Sequence, residues 1–420
     1  MNKALPLRQM VFRLRNYGLA DVSQRIARKT ATKISATFST SDLDFPLLLR
    51  DVADSTDLKL APAPLRADSQ PLRIAWLCTP PGAGSGGHTT FFRMIEGMER
   101  RGHHCTVLLY DRHGGELARE VAVIRQHWPQ LRAEVLHTPS AIEGFDASVA
   151  SSWETAHVLA ARGARAQHRF YFVQDFEPFF YPRGGMYALA EDTYRFGFRL
   201  VTVGRMVADL LRREIGIESA VAPFGCDTQN YRLENTGHRH GVAFYTRPEV
   251  DRRGFLLAKL ALTQFHARHP EQEITTYGDR ITDWDVPHRH AGKLSPPQLN
   301  RLYNRSLAGI AMSFTNVSLV AEEMLAAGAV PVINDSPLVR KDLDSPYASW
   351  ARATPAGIAE ALCRAVEEPA TPQLLQTRSA SVRQGWGPAQ AAVAAEIEDA
   401  VYGPAMAFPG KEGQVFNHGK

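Results

Sequence analysis

Two successive series of short β-rich runs, each run separated from the next by a helical stretch, constrain this chain more than any other feature. The first series reads LRIAWLC (72–78), HCTVLLY (104–110), FDASVA (145–150), RFYFVQD (169–175), RLVTVG (199–204) and SAVAPFG (219–225). The second reads GVAFYT (241–246), EITTYG (273–278), LAGIAMSF (307–314) and AVPVIND (329–335). Strands alternating with helices imply right-handed βαβ units and parallel sheets. The polar, turn-rich interval DTQNYRLENTGHRHG (227–241) reads as a hinge between the series. The expectation is therefore α/β: two doubly wound domains, 72–235 and 236–387, facing across a cleft. A helical basic extension and linker (1–71) precedes them, and a C-terminal helix and tail (388–420) crosses back to the first domain. In such folds ligands bind outside the carboxyl ends of the strands.

Composition narrows the function classes. With 420 residues and 44% hydrophobic content there is material for more than one core, which excludes disorder or coiled coil as a description of the whole. A formal net charge of only +4 does not indicate a dedicated nucleic-acid binder. Cys78, Cys105, Cys226 and Cys363 lie far apart, without CxxC spacing or the density of a disulfide framework, which fits a reducing cytoplasm. No apolar run approaches the roughly 18 residues of a membrane span, and arginines stand where a signal peptide has its apolar stretch. Residues 1–36 carry eight basic residues against the single acid Asp21, with Leu7, Met10, Val11, Leu14, Val22, Ile26 and Ile34 at helical spacing. Two readings stay open for this arm: an amphipathic helix on the anionic inner face of a membrane, or a helix packed on its own domain or on the second subunit of a homodimer.

Behind the first strand comes a glycine-rich turn, Pro80 to His88, entering a helix. Gly86 and Gly87 let backbone N–H groups approach a ligand closely, and the helix dipole favours negative charge there. The turn lacks the GKS or GKT ending of a P-loop. In the second series Arg247 follows GVAFYT directly, Lys293 sits in HAGKLS before a helix beginning near Pro296, and Glu323 lies in SLVAEEMLAAGAVPVI, placed at the front of a helix. Arginine and lysine at strand ends suit a diphosphate, and a carboxylate nearby suits ribose or sugar hydroxyls. The helix dipole is expected to keep Glu323 ionised at neutral pH.

The ordered blocks RIAWLCTPPGAGSGGH, YFVQDFEPFF, GRMVADLLRREIGIESAVAPFGCD, FYTRP, YGD, GKLS and SLVAEEMLAAGAVPVI resemble the GT-B glycosyltransferases of family 4, over about residues 72 to 400. The likeness is strongest to the rhamnosyltransferase branch acting on bacterial surface glycans. It implies two Rossmann-like domains, an acceptor domain first and a nucleotide-sugar donor domain second. The last block is similar to the family's EAMACGxPVI segment, which places Glu323 on the glutamate that contacts the donor. Arg247 and Lys293 fall on diphosphate-binding positions, although most of the family carries its lysine where this chain has Arg252 and Arg253. The matching blocks also imply donor contacts at Gly86, Gly87, Tyr277, Gly278, Ser318, Leu319 and Val320. One departure stands out: the family often has a second glutamate eight residues before Glu323, and this chain has Thr315 there.

The block 171–197 adds a sugar-binding wall. Phe176, Phe179, Phe180 and Tyr181 offer ring faces, while Gln174, Asp175 and Glu177 orient hydroxyls, with His88 facing them as a further acceptor or donor-sugar contact. Asp175 joins Arg247, Lys293 and Glu323 as a catalytic candidate. Three Asp-x-Asp triplets (Asp42/Asp44, Asp283/Asp285, Asp342/Asp344) show how cheap that pattern is, and none follows a strand as a metal site requires. No GxSxG elbow is present. The expected protein is a metal-independent, cofactor-free retaining glycosyltransferase that moves L-rhamnose from dTDP-L-rhamnose to a lipid-linked or oligosaccharide acceptor. The alternatives are a UDP- or GDP-sugar donor on the same fold, or an idle GT-B domain that binds glycan or a protein partner.

Overall fold

The computed structural model describes residues 45–404 apart from 166, 318, 344, 383 and 384. The basic arm 1–36, the Asp42/Asp44 triplet and Ser318 therefore lie outside the described residues. The chain divides into two compact units, Met1–Leu49 and Arg50–Lys420, and both sheets belong to the second.

The first sheet is built from β1 (Arg73–Cys78), β2 (His104–Leu109), β3 (Glu134–His137), β4 (Ala147–Ala150), β5 (His168–Val173), β6 (Arg199–Val203) and β7 (Ala220–Ala222), in the all-parallel order 3-2-1-4-5-6-7. Its helices are α1 (Gly86–Arg101), α2 (Leu117–His127), α3 (Trp153–Arg162), α4 (Gly185–Asp192) and α5 (Arg205–Leu210). Central strands covered on both faces read as continuous apolar runs, and β1 is buried at five consecutive positions. On α1, Phe91, Ile95 and Met98 recur at helical spacing and are buried, with Phe91 edge-on to Trp76 at 5.4 Å. Side chains of this size each contribute about 1.5–3 kcal/mol when fully buried. Strand β3 is absent from the strands read in the sequence, so the block beginning YFVQD follows the fifth strand rather than a fourth.

The second sheet comprises β8 (Val242–Thr246), β9 (Ile274–Gly278), β10 (Arg289–His290), β11 (Ala308–Ile310), β12 (Val330–Asn334) and β13 (Ser349–Ala351), in the parallel order 10-9-8-11-12-13. Around it stand α6 (Phe255–Arg268), α7 (Pro296–Arg305), α8 (Leu319–Ala326) and α9 (Pro355–Glu367). Phe244, Leu262, Phe265, Val332 and Leu362 lie at its centre. Strand order reverses direction from β1 to β4 in one sheet and from β8 to β11 in the other. These are the switch points where the carboxyl ends of neighbouring strands open a crevice.

After α10 (Pro372–Ala380) the chain returns to the first domain as α11 (Gly387–Tyr402). There Arg101 donates two hydrogen bonds to Glu398, both at 2.7 Å, and His103 Nε2 meets the same carboxylate at 2.9 Å. The outgoing and returning crossings touch: Gly385 N–H donates to Cys226 O at 3.0 Å. A second link joins the halves near the cleft. Gly204, at φ +84°, gives α5 no side-chain cap, and Asp342 of the second domain supplies it, accepting from Arg205 N–H at 2.6 Å and Met206 N–H at 2.8 Å. A Cβ on Gly204 would lie 2.6 Å from the Asp342 carboxylate. Asp342, half of an Asp-x-Asp pair in the sequence, is thus a helix cap from the opposite domain.

Candidate active site

The glycine-rich turn enters α1 through Ser85, whose side chain accepts from His88 N–H in the first turn. Gly86 and Gly87 are exposed at this helix start, and a Cβ on Gly87 would meet the Gln174 side chain at 3.7 Å. His88 does not offer a ring nitrogen to an acceptor as expected. Its Nδ1 pairs with Ser85 Oγ at 2.8 Å and its Nε2 with Thr79 O at 2.9 Å. The carbonyl can only accept, so Nε2 carries the proton and Nδ1 accepts from the serine. Burial holds the imidazole below its ordinary pKa, opposed by the Thr79 bond.

The wall read in residues 174–181 divides in two. Phe176 is fully buried, stacked on Tyr194 at 5.6 Å, and shows no face to the cleft. Glu177 is buried as well: its Oε2 accepts from Trp153 N–H at 2.6 Å, at the start of α3. Burial, with Glu154 and Asp175 close by, pushes the Glu177 carboxyl well above the usual carboxylate range. Tyr181 accepts from the Trp153 indole at 3.1 Å. These three expected acceptor contacts thus form the packing behind the wall, because Glu177 and Tyr181 turn inward onto Trp153 of α3 and Phe176 turns onto Tyr194. Phe179 and Phe180 stay exposed, and the guanidinium of Arg252 lies 4.5 Å above the Phe180 ring.

Across the cleft, β8 ends at Thr246 and delivers Arg247, which is exposed. The turn Asp251–Arg253 then brings Arg252 and Arg253 to the same edge. Arg252 Nη1 is buried with no hydrogen-bond partner among the described residues. Burial lowers the Arg253 pKa, Asp175 opposes that, and Arg252 and Arg247 add to it, so four charged groups from both domains feel one another at this edge. Gly278, at φ +104°, ends β9; a Cβ there would lie 2.5 Å from Thr246 O, which accounts for the glycine. Gly278 N–H donates to Gly292 O at 2.9 Å, and the exposed Lys293 follows Gly292 directly beside β9, where among the described residues no hydrogen bond or ion pair joins it to the arginines. Tyr277 turns its hydroxyl into the core, 2.7 Å from that of Tyr303, so only its backbone borders the cleft. Leu319 and Val320 are half-buried at the start of α8.

Two polar contacts span the cleft where the sheets face each other. Thr315 Oγ1 donates to Asp175 Oδ1 at 2.8 Å, and the Asn316 side-chain amide donates to Gln174 O. Glu323 lies one turn into α8, with Glu322 in the first turn, so the expected dipole support is weak. Burial pushes Glu323 up to about 7; Arg93 lowers it, Asp227 raises it and a bond from Tyr231 lowers it. The expectation that Glu323 is simply ionised is corrected accordingly: at neutral pH it is near its own midpoint. Arg93, Asp227, Tyr231 and Asn316 were not read from the sequence. Arg93 sits among the buried positions of α1, and Asp227 and Tyr231 sit in the interval read only as a hinge. Among the described residues no group of three or more His, Cys, Asp or Glu side chains comes together as a metal site would require.

Two family models match this chain: the WsaF C-terminal domain over residues 240–363 and the WsaF N-terminal domain over residues 136–205. The O-antigen biosynthesis protein RfbC of Myxococcus xanthus is 30% identical over 339 residues, 76% of this chain and 26% of that protein. The chain thus spans about a quarter of the length of the curated relative it matches. Among solved structures, WaaG, a glycosyltransferase involved in lipopolysaccharide biosynthesis, aligns with a TM-score of 0.52 at 13% identity, covering 79% of this chain and all of that one. Anabaena HepE in complex with UDP aligns at 0.53 and 13%, covering 79% and 97%. These similarities show the fold, two Rossmann-like domains in the GT-B arrangement.

Proposed function

We propose that this chain is a retaining glycosyltransferase that transfers L-rhamnose from dTDP-L-rhamnose to a growing bacterial surface glycan. The observation that carries the reading is the edge of the second sheet, where Arg247, Arg252 and Arg253 gather opposite Asp175, with Glu323 deeper at the same switch point. Guanidinium groups at strand ends suit the diphosphate of a nucleotide sugar, and a carboxylate behind them suits ribose hydroxyls. The likeness to WaaG, a glycosyltransferase, and to HepE, seen in complex with UDP, supports the class, and the likeness to RfbC, an O-antigen biosynthesis protein, supports a surface glycan as the product.

In this reading Arg247, Arg253 and Lys293 stabilise the departing diphosphate, whose own oxygen receives the acceptor's proton in a front-face transfer. Guanidinium charge takes the part that a divalent cation plays elsewhere, so transfer is metal-independent. The acceptor, an oligosaccharide or its lipid-linked form, enters over Phe179 and Phe180. No helix among the described residues is long and apolar enough to cross a membrane. The basic arm 1–36 is proposed to hold the protein against an anionic membrane surface.

The test is calorimetric titration with dTDP, UDP and GDP, followed by transfer assays with the matching sugar nucleotides with and without chelator. The expected result is tightest binding of dTDP and transfer of rhamnose unaffected by chelator. Tighter UDP or GDP binding reassigns the donor, and binding without transfer leaves a glycan-binding domain.

A further inference from the structure

Thr315 is 2% exposed and stands in the loop after β11, at the switch point of the second sheet. Its hydroxyl does not serve its own loop but reaches the other domain, to Asp175 Oδ1 at 2.8 Å. The next residue repeats the connection, since Asn316 donates to the carbonyl of Gln174 while its own Oδ1 accepts from Val317 N–H at 2.8 Å. Asp175 lies at the end of β5, where its backbone carbonyl accepts from Tyr194 OH at 3.4 Å. Its side chain is therefore fixed from across the cleft, and one oxygen is left for another donor.

We infer that Thr315 is a positioning residue, whose hydroxyl holds the Asp175 carboxylate toward the sugar of the donor so that the contact is complete only when the two domains are closed on each other. The carboxylate that reads the sugar comes from the first domain, and the second domain supplies only the hydroxyl that aims it. The inference rests on the reading of this cleft as a nucleotide-sugar site. It makes position 315 intolerant of an acid, because two carboxylates would then face each other across the cleft.

Two measurements on the full chain test it separately. In the transfer assay, Thr315→Val is expected to lower kcat about 10- to 100-fold, with dTDP affinity unchanged, and Thr315→Ser is expected to recover to within about threefold of the wild type. A Val variant at wild-type kcat, or Val and Ser variants equally impaired, overturns the positioning role. The second measurement needs no substrate: small-angle scattering of Thr315→Glu is expected to show a larger radius of gyration than the wild type, reversed in Thr315→Glu/Asp175→Asn. Expansion that Asp175→Asn does not reverse, or no expansion, overturns the cross-cleft contact. If the wild type transfers no sugar from any nucleotide, the transferase reading fails while scattering still decides the contact.

Discussion

Arg93 on α1 and Asp227 in the crossover between the domains meet at 2.8 Å, and both charges act on Glu323 of α8. The Arg93 guanidinium is fixed over the Trp386 ring at 5.2 Å, so the first domain and the returning chain jointly set the environment of a second-domain carboxyl. Burial raises Glu323 to about 7, which makes its charge sensitive to its neighbours near neutrality. A ribose hydroxyl donates best to the ionised form, so donor affinity is expected to rise as pH rises through about 7. Arg93→Ala should move that midpoint up and Asp227→Asn should move it down, as read by calorimetry across pH 5.5–8.5. Stability carries the opposite sign. A carboxyl whose folded pKa lies above its unfolded value costs stability as pH rises from about 4.5 to 7. Glu323→Gln should therefore melt higher than the wild type at pH 8, by up to about 3 kcal/mol, converge with it near pH 4.5, and bind donor poorly throughout.

For the diphosphate clamp, the arginine edge predicts graded losses. Arg247→Ala and Lys293→Ala are expected to cost about 2–4 kcal/mol of transition-state stabilisation in kcat/KM while leaving the melting temperature unchanged, because both side chains are exposed. Unchanged turnover in Arg247→Ala removes that residue from the site.

Glu177 gives a prediction of tolerance. Its carboxyl is buried, raised in pKa by that burial and bonded to α3, so Glu177→Gln, which keeps an oxygen to accept from Trp153 N–H, should keep both fold and transfer within about threefold, whereas Glu177→Ala should lose stability on the order of 1–3 kcal/mol through the vacated Trp153 N–H. A Gln variant without activity returns Glu177 to the acceptor contacts.

The borrowed cap of α5 can be measured by denaturant unfolding. Asp342→Ala leaves two N–H groups without their acceptor and should cost about 1–3 kcal/mol, with faster proteolysis around residues 204–216. A variant as stable and resistant as the wild type shows that the cap contributes nothing.

The sheets were legible because buried parallel strands write themselves as continuous apolar runs, as in WLC of β1 or VPVI of β12. Strand β3 reads EVLH and buries only Val135, and β10 is the two-residue Arg289–His290, so neither carries that signal. Arg247 and Glu323 were recoverable from their place after a strand and in a helix before one. The pairings were not. Thr315 with Asp175 is separated by 140 residues and Arg93 with Asp227 by 134, and nothing local in either segment announces the partner. Phe176 and Glu177 were misplaced for the converse reason: an aromatic, acidic block looks the same whether its turn faces outward or folds against α3.

The bond between Gly385 and Cys226 has a mechanical meaning. A single covalent crossing would let two domains swing, slide and twist independently, like weights on a string. Here two crossings run side by side and are stitched together, and α11 anchors the second through Glu398. Paired this way they restrict the directions in which one domain can shift against the other more than a single crossing would. Two crossings bound in this way keep Thr315 and Asp342 opposite the same partners, Asp175 and the start of α5.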